Sequence, residues 1–266
     1  MAKVAMAIGA HPDDVEFMMA GTLVLLKEAG YEIHYMNLAD GCCGSATLSR
    51  RAAARVRAKE ARRAAALVGA TFHPSLVPDI EILYDRPTLA RLGAVLRRVA
   101  PEILLVPAPD DYMEDHTNTS RLAVTAAFCM GMRNFPTRPR TRPVAGDRTL
   151  YHAMPYGVRD GLRRRVRAGL YVDVGPVRDM KRRMLACHRS QKEWLDRSQG
   201  VDSYLETMEM TDREVGRLSG RFTWAEGWRR HLHLGFSGAE RDPLAEALGR
   251  RALVDKAYER RLEGRA

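Results

Sequence analysis

The sequence predicts an α/β fold: a mostly parallel sheet with helices on both faces and a smaller C-terminal extension. Three observations predict it. Apolar runs of strand length alternate with segments of helical length. The strand segments are near-continuous in apolar residues, as in sheets covered on both faces. Two acidic, histidine-bearing loops, IGAHPDD and APDDYMEDH, follow such runs. In open α/β sheets ligands gather beyond the carboxyl ends of the strands.

Lys3 to Ile8 reads as a buried strand, and GTLVLLKEA, Gly21 to Ala29, as a short helix stopped by Gly30. YEIHYMNLAD is a second strand ending near Asp40, followed by the loop GCCGSATLS. Ser49 to Val68 is rich in alanine and arginine without proline or glycine, which predicts a long helix closed by Gly69. A helix over Thr88 to Val99, a strand at Ile103 to Val106 and a helix over Thr119 to Met130 continue the rhythm. Asn134 to Arg148 is a long proline- and arginine-rich loop. LYHAMP and GLYVDVG are strands with GLRRRVR between them. Pro176 to His188 is a helix with Met180, Met184 and Leu185 on a buried stripe. Past Arg197, WAEGWRRHLHLGF is expected to pack on the body through Trp224, Trp228 and Phe236, and Asp242 to Ala266 is helical in pattern. The expected division is a domain of residues 1–195 and an extension, 196–266, packed on it.

The 266 residues, 45% of them apolar, suit one large domain. No apolar stretch approaches the roughly 20 residues of a membrane span, and MAKVAMAIGAHP reads as a first strand, not a leader. Of four cysteines, Cys42 and Cys43 are adjacent and none has CxxC spacing, so a reduced, cytoplasmic protein is expected. The net charge of +10 comes in arginine clusters with few aromatics among them. That pattern argues against specific nucleic-acid binding and leaves anionic small molecules open.

The chemistry concentrates in HPDD. His11 and Asp14 are three apart, so a turn after the strand puts both side chains on one side. An imidazole nitrogen and a carboxylate oxygen are good zinc ligands, and a catalytic zinc takes a third from the protein. His116, at the second loop, is the best candidate. Two histidines and one carboxylate leave about one positive charge on the ion, which acidifies a coordinated water. Asp13 then fits as general base, and Asp115 as an acceptor for a ligand histidine. Glu16 would hold the turn or an arginine. Singly, His11 and Asp14 could equally be caps; their compression beside a second His/Asp cluster favours metal.

AHPDDVE resembles the signature of the LmbE-like, or PIG-L, family of zinc-dependent deacetylases. The resemblance runs from about Ala5 to Gln191, through VRAKEARRAAALVG, PAPDDYMEDH and AHRSQ. It implies a Rossmann-like fold, removal of acetyl groups from N-acetylglucosamine-type conjugates, and a homo-oligomer. It also implies one zinc on His11, Asp14 and His116, Asp13 as base, and substrate contacts from Arg57 and His188. In many relatives the second motif reads HPDH, and its first histidine assists the reacting centre. Here that position is Met113, a substrate-site thioether that moves no proton. Asp110, Asp111, Tyr112, His188 or His152 could take over that work, or Asp13 could serve both as base and as acid. The alternatives are a broader N-acyl amidohydrolase and a non-catalytic metal- or sugar-binding protein.

Overall fold

The computed structural model describes residues 3–192 and 204–264. The five strands β1 (Val4–Gly9), β2 (Glu32–Asn37), β3 (Thr71–His73), β4 (Ile103–Val106) and β5 (Thr149–Ala153) are parallel, in the order 3-2-1-4-5. Alternation along β1 divides the core. Ala5 and Ala7 face α2 (Ala20–Glu28) and α3 (Arg50–Leu67), packing with Leu23, Leu26, Ala61 and Ala64. Met6 and Ile8 face α4 (Arg86–Val99) and α5 (Glu114–Phe128), against Leu92, Leu96, Leu122 and Ala126. All eight of these helix residues are 0–1% exposed, so both faces are sealed.

Several helix starts lie earlier than expected, and local chemistry explains each. A short α1 (Asp14–Met18) forms directly after the HPD turn and precedes α2. Asp85 accepts from the Thr88 amide at 2.7 Å and starts α4 at Arg86, with Pro87 in its first turn. Glu114 and Asp115 favour the positive end of α5, so the EDH motif is helical and not part of a loop. Ser49 caps α3 as its sequence suggests.

The sheet continues past β5 in the order β7-β6-β8, with β6 (Leu170–Asp173), β7 (Ala225–Arg230) and β8 (Ala252–Val254). β7 is antiparallel to both β5 and β6. The chain beyond residue 204 therefore supplies an interior strand. It also supplies α7 (Tyr204–Ser219), α8 (Pro243–Leu248) and α9 (Lys256–Leu262), with β8 interrupting the helical pattern expected from Asp242 onward. The boundary expected at 195/196 lies outside the described residues. Trp228 is buried on the α2/α3 side of the sheet with Trp224 packed partly buried against that core, and Phe236 is buried on the α4/α5 side.

A buried ionic cluster ties this part to the rest. Lys181, on α6 (Arg178–Leu185), is fully buried, with Nζ 2.7 Å from Asp212 and 2.8 Å from Glu226. Glu226 also accepts from the amides of Gly21 and Thr22, each at 2.8 Å, at the start of α2. Among the described residues, no helix is long and apolar enough to cross a membrane.

Candidate metal centre and active site

β1 ends at Gly9, where a Cβ would lie 2.8 Å from Asn37 Oδ1 and 2.9 Å from Asp14 Cβ; only glycine lets the turn close. The amides of Ala10 and His11 donate to Asp14 Oδ2 at 2.9 and 2.8 Å. Asp13 has φ 117°, a conformation costly for any residue but glycine. The strained turn parts the two aspartates. Asp14 faces the histidines, while Asp13 faces Arg57 and Tyr204.

β1 and β4 are neighbours where the strand order reverses, the switch point at which α/β sheets open a crevice. The loop after β1 brings His11 and Asp14, and α5, which follows β4, brings His116. One donor atom from each lies within 4.8 Å of the others. His116 Nε2 is 3.4 Å and His11 Nδ1 3.7 Å from Asp14 Oδ2. The opposite ring nitrogens are taken: His11 Nε2 lies 3.0 Å from both Asp115 and Asp79, and His116 Nδ1 2.9 Å from Asp111. Carboxylates behind the rings thus orient the remaining nitrogens toward a common point.

Charge supports the same reading. Burial pulls His116 down, yet Asp14 and Asp111 raise its pKa to about 10. Burial likewise opposes protonation of His11, and Asp115, Asp14 and Asp79 overcome it. The Asp14 carboxyl is held well below its ordinary value despite burial, chiefly by His116 and His11. The carboxylates around the two imidazoles favour positive charge there, and a divalent cation on these donors would supply it. The three residues expected as ligands are therefore brought together, and they can hold such an ion.

Tyr204 donates to Asp13 Oδ2, and Arg57 Nη2 is 3.5 Å from Oδ1. Burial raises the Asp13 pKa against the pull of Arg57. Arg57 also donates to the carbonyls of Pro12 at 2.7 Å and Gly41 at 3.1 Å, so it braces the turn from within while lining the cavity. That cavity, about 390 Å³, holds His11, Asp13, Asp14 and His116 on one wall, with Phe17, Met18, Met113, Met154, Tyr112 and Tyr156 making most of the remainder apolar.

His188 departs from expectation. It is fully buried, does not line the cavity, and lies 3.3 Å from Glu16, itself fully buried. A buried carboxylate needs a cationic neighbour, and His188 stands where it can meet that need, behind the cavity lining. Glu16 accordingly pairs with His188 and Tyr35, not with an arginine. Asp111, which lines the cavity, also holds His116, whereas His152 turns to Ser120, Pro107 and His231 and does not line the cavity. The contacts of Asp79 and Tyr204 had no signature, because each joins the site from far along the chain.

The family described as PIG-L, GlcNAc-PI de-N-acetylase, matches residues 6–127, a span that includes the whole donor cluster and Asp13. Residues 6–127 are thus similar to the PIG-L family. Relatives extend the likeness beyond the PIG-L match. Diacetylchitobiose deacetylase of Thermococcus kodakarensis is 28% identical over 234 residues, covering 85% of this chain and 82% of the relative. The 4-oxalmesaconate hydratase of Pseudomonas putida is 29% identical over 234 residues, covering 85% and 88%. Both relatives carry the names of enzymes. Among solved structures, the N,N'-diacetylchitobiose deacetylase of Pyrococcus horikoshii has a TM-score of 0.72 at 23% identity, covering 91% of this chain and 89% of its own. At that identity the likeness is one of fold.

Proposed function

We propose that this chain is a zinc-dependent hydrolase that removes an acetyl group from an N-acetylated amino sugar or its conjugate. The observation that carries the reading is the convergence of His11, Asp14 and His116 beside Asp13 in one cavity. The PIG-L match and the 28% identical deacetylase support the choice of acetyl amide. When bound by those three residues, zinc supplies Lewis acidity toward the acyl oxygen and acidifies water.

The chain's own residues do the rest. Asp13 takes a proton from the attacking water as its oxygen bonds to the acyl carbon. The carbon–nitrogen bond then breaks, and Asp13 returns that proton to the leaving nitrogen, giving acetate and a free amine. Tyr204 and Arg57 hold the carboxylate in place between the two steps. Using one residue as base and then acid accommodates Met113. Tyr112 and Tyr156, partly exposed at the cavity, offer flat faces to a sugar ring.

The hydratase relative favours a second reading, water addition to a carbon–carbon double bond of an unsaturated acid, which needs the same base. One experiment separates the two. Metal-stripped protein, reloaded with zinc, is assayed for acetate release from N-acetylated amino sugars and for loss of absorbance of conjugated unsaturated acids. Zinc-restored acetate release matched by free amine is the expected result. Absence of acetate from every substrate, with hydration present, would overturn the deacetylase reading.

A further inference from the structure

A second cavity, about 500 Å³, borders the loop after β4. Consecutive strand residues face opposite ways, so His152 lines this cavity while Ala153 lines the first. The lining includes Arg121, Arg229, Arg230, His152 and His231, and no carboxylate. β5 and β7 build its floor, with His152 opposite Arg229 in register. His152 donates through Nδ1 to the Pro107 carbonyl at 3.1 Å, which leaves Nε2 to accept from His231 at 3.0 Å. Burial depresses its pKa to about 4, in keeping with that neutral arrangement.

The arginines differ in what they hold. Arg230 is paired with Glu240 at 2.9 Å. Arg121 lies over the Tyr84 ring at 4.9 Å, and among the described residues neither it nor Arg229 has an ion-pair partner. Arg229 is the more telling. Its Nε and Nη2 are buried and, among the described residues, have no hydrogen-bond partner. These two N–H groups lie on one edge of the guanidinium, the fork that matches two oxygens of a carboxylate or phosphate. A solvated surface arginine would have its donors in water.

We propose that this cavity is a second binding site, for the phosphate or carboxylate group of a small molecule, with Arg229 and Arg121 as anchors. Pro107 and Ala108 line the first cavity and Pro109 the second, so one loop separates the ligand from the catalytic cavity. The site needs no turnover and stands independently of the reaction assigned above.

Inorganic phosphate is the probe, titrated calorimetrically into the full chain with ionic strength held constant by chloride. One saturable site is expected, weakened roughly 10-fold or more in Arg229→Gln and also weakened in Arg121→Gln. Arg229→Lys, which keeps the charge but lacks the fork, should also bind less tightly. Asp13→Asn should bind phosphate as the parent does. No saturable binding to the parent, parent-level binding in a folded Arg229→Gln or Arg121→Gln, or loss of binding in Asp13→Asn would each overturn the proposal. Competition identifies the source of the oxyanion. Displacement of phosphate by N-acetylglucosamine 1-phosphate but not by N-acetylglucosamine marks a substrate conjugate, and displacement by neither marks free phosphate, both requiring Arg229.

Discussion

Tyr204 donates a hydrogen bond to Asp13, a carboxylate 191 positions earlier in the chain. The phenol is 2% exposed, and its ring meets Phe17 edge-on at 5.1 Å. Tyr204→Phe keeps the packing and removes the donor. A hydrogen bond to a charged group is worth about 1.5–3 kcal/mol, so kcat should fall roughly 10-fold or more, with KM little changed. Steady-state kinetics on one amide substrate checks this; a fall in affinity with kcat intact would make Tyr204 a substrate contact instead.

Asp13→Asn should retain zinc at the parent's stoichiometry by elemental analysis. Hydrolysis should drop about 100-fold or more, the scale of general acid–base catalysis. Near-parent turnover with full metal would show that another group activates water.

Met113→His tests the departure from the HPDH pattern. Met113 lines the cavity beside Asp14 and His116. The added imidazole should introduce a further titration in the pH–rate profile and raise hydrolysis of simple N-acetyl amino sugars, whereas Met113→Ala should alter substrate fit alone. Superimposable profiles for all three proteins would rule out a catalytic consequence of the thioether.

Lys181→Met leaves Asp212 and Glu226 buried without their cation. Breaking a buried pair this way costs about 3–5 kcal/mol, so the urea midpoint should fall steeply. A loss under about 1 kcal/mol would show that water reaches the cluster.

Acid should destabilise the fold through His152. Burial lowers its folded pKa from 6.5 to about 4. A depressed pKa contributes stability that is complete above the unfolded value and is lost as pH falls through the folded one. Between pH 6.5 and 4 the expected slope is roughly 1 kcal/mol per pH unit. Urea unfolding across that window should show His152→Gln with a shallower slope than the parent; equal slopes would place the acid sensitivity elsewhere.

The parallel strands were legible because both their faces are buried, which makes runs such as ILLV apolar throughout. β7 was not read as a strand. Its sequence AEGWRR places Glu226 in the interior, where Lys181 on a distant helix makes that burial tolerable. β3 has three residues, too few for a periodicity. In the site, close spacing exposed His11, Asp13 and Asp14, and the second acidic loop exposed His116. Asp79, which supports His11 from 68 positions away in sequence, has no local pattern to mark it. Nor could the sequence separate Arg57, which reaches the cavity, from His188, which lies buried behind its lining; both are polar residues beside apolar helical stretches.

The placement of β7 between β5 and β6 sets an order in time. During synthesis from the N-terminus, β1 to β5 emerge well before residue 225, and until then β5 presents an unpaired edge. The phenol that steadies Asp13 also arrives late. A nascent or prematurely terminated chain would therefore carry all three candidate ligands while keeping an exposed strand edge. The chain's last quarter supplies both the strand that covers β5 and the phenol that holds Asp13, and ribosomal stalling ahead of β7 would leave the β5 edge open to other chains.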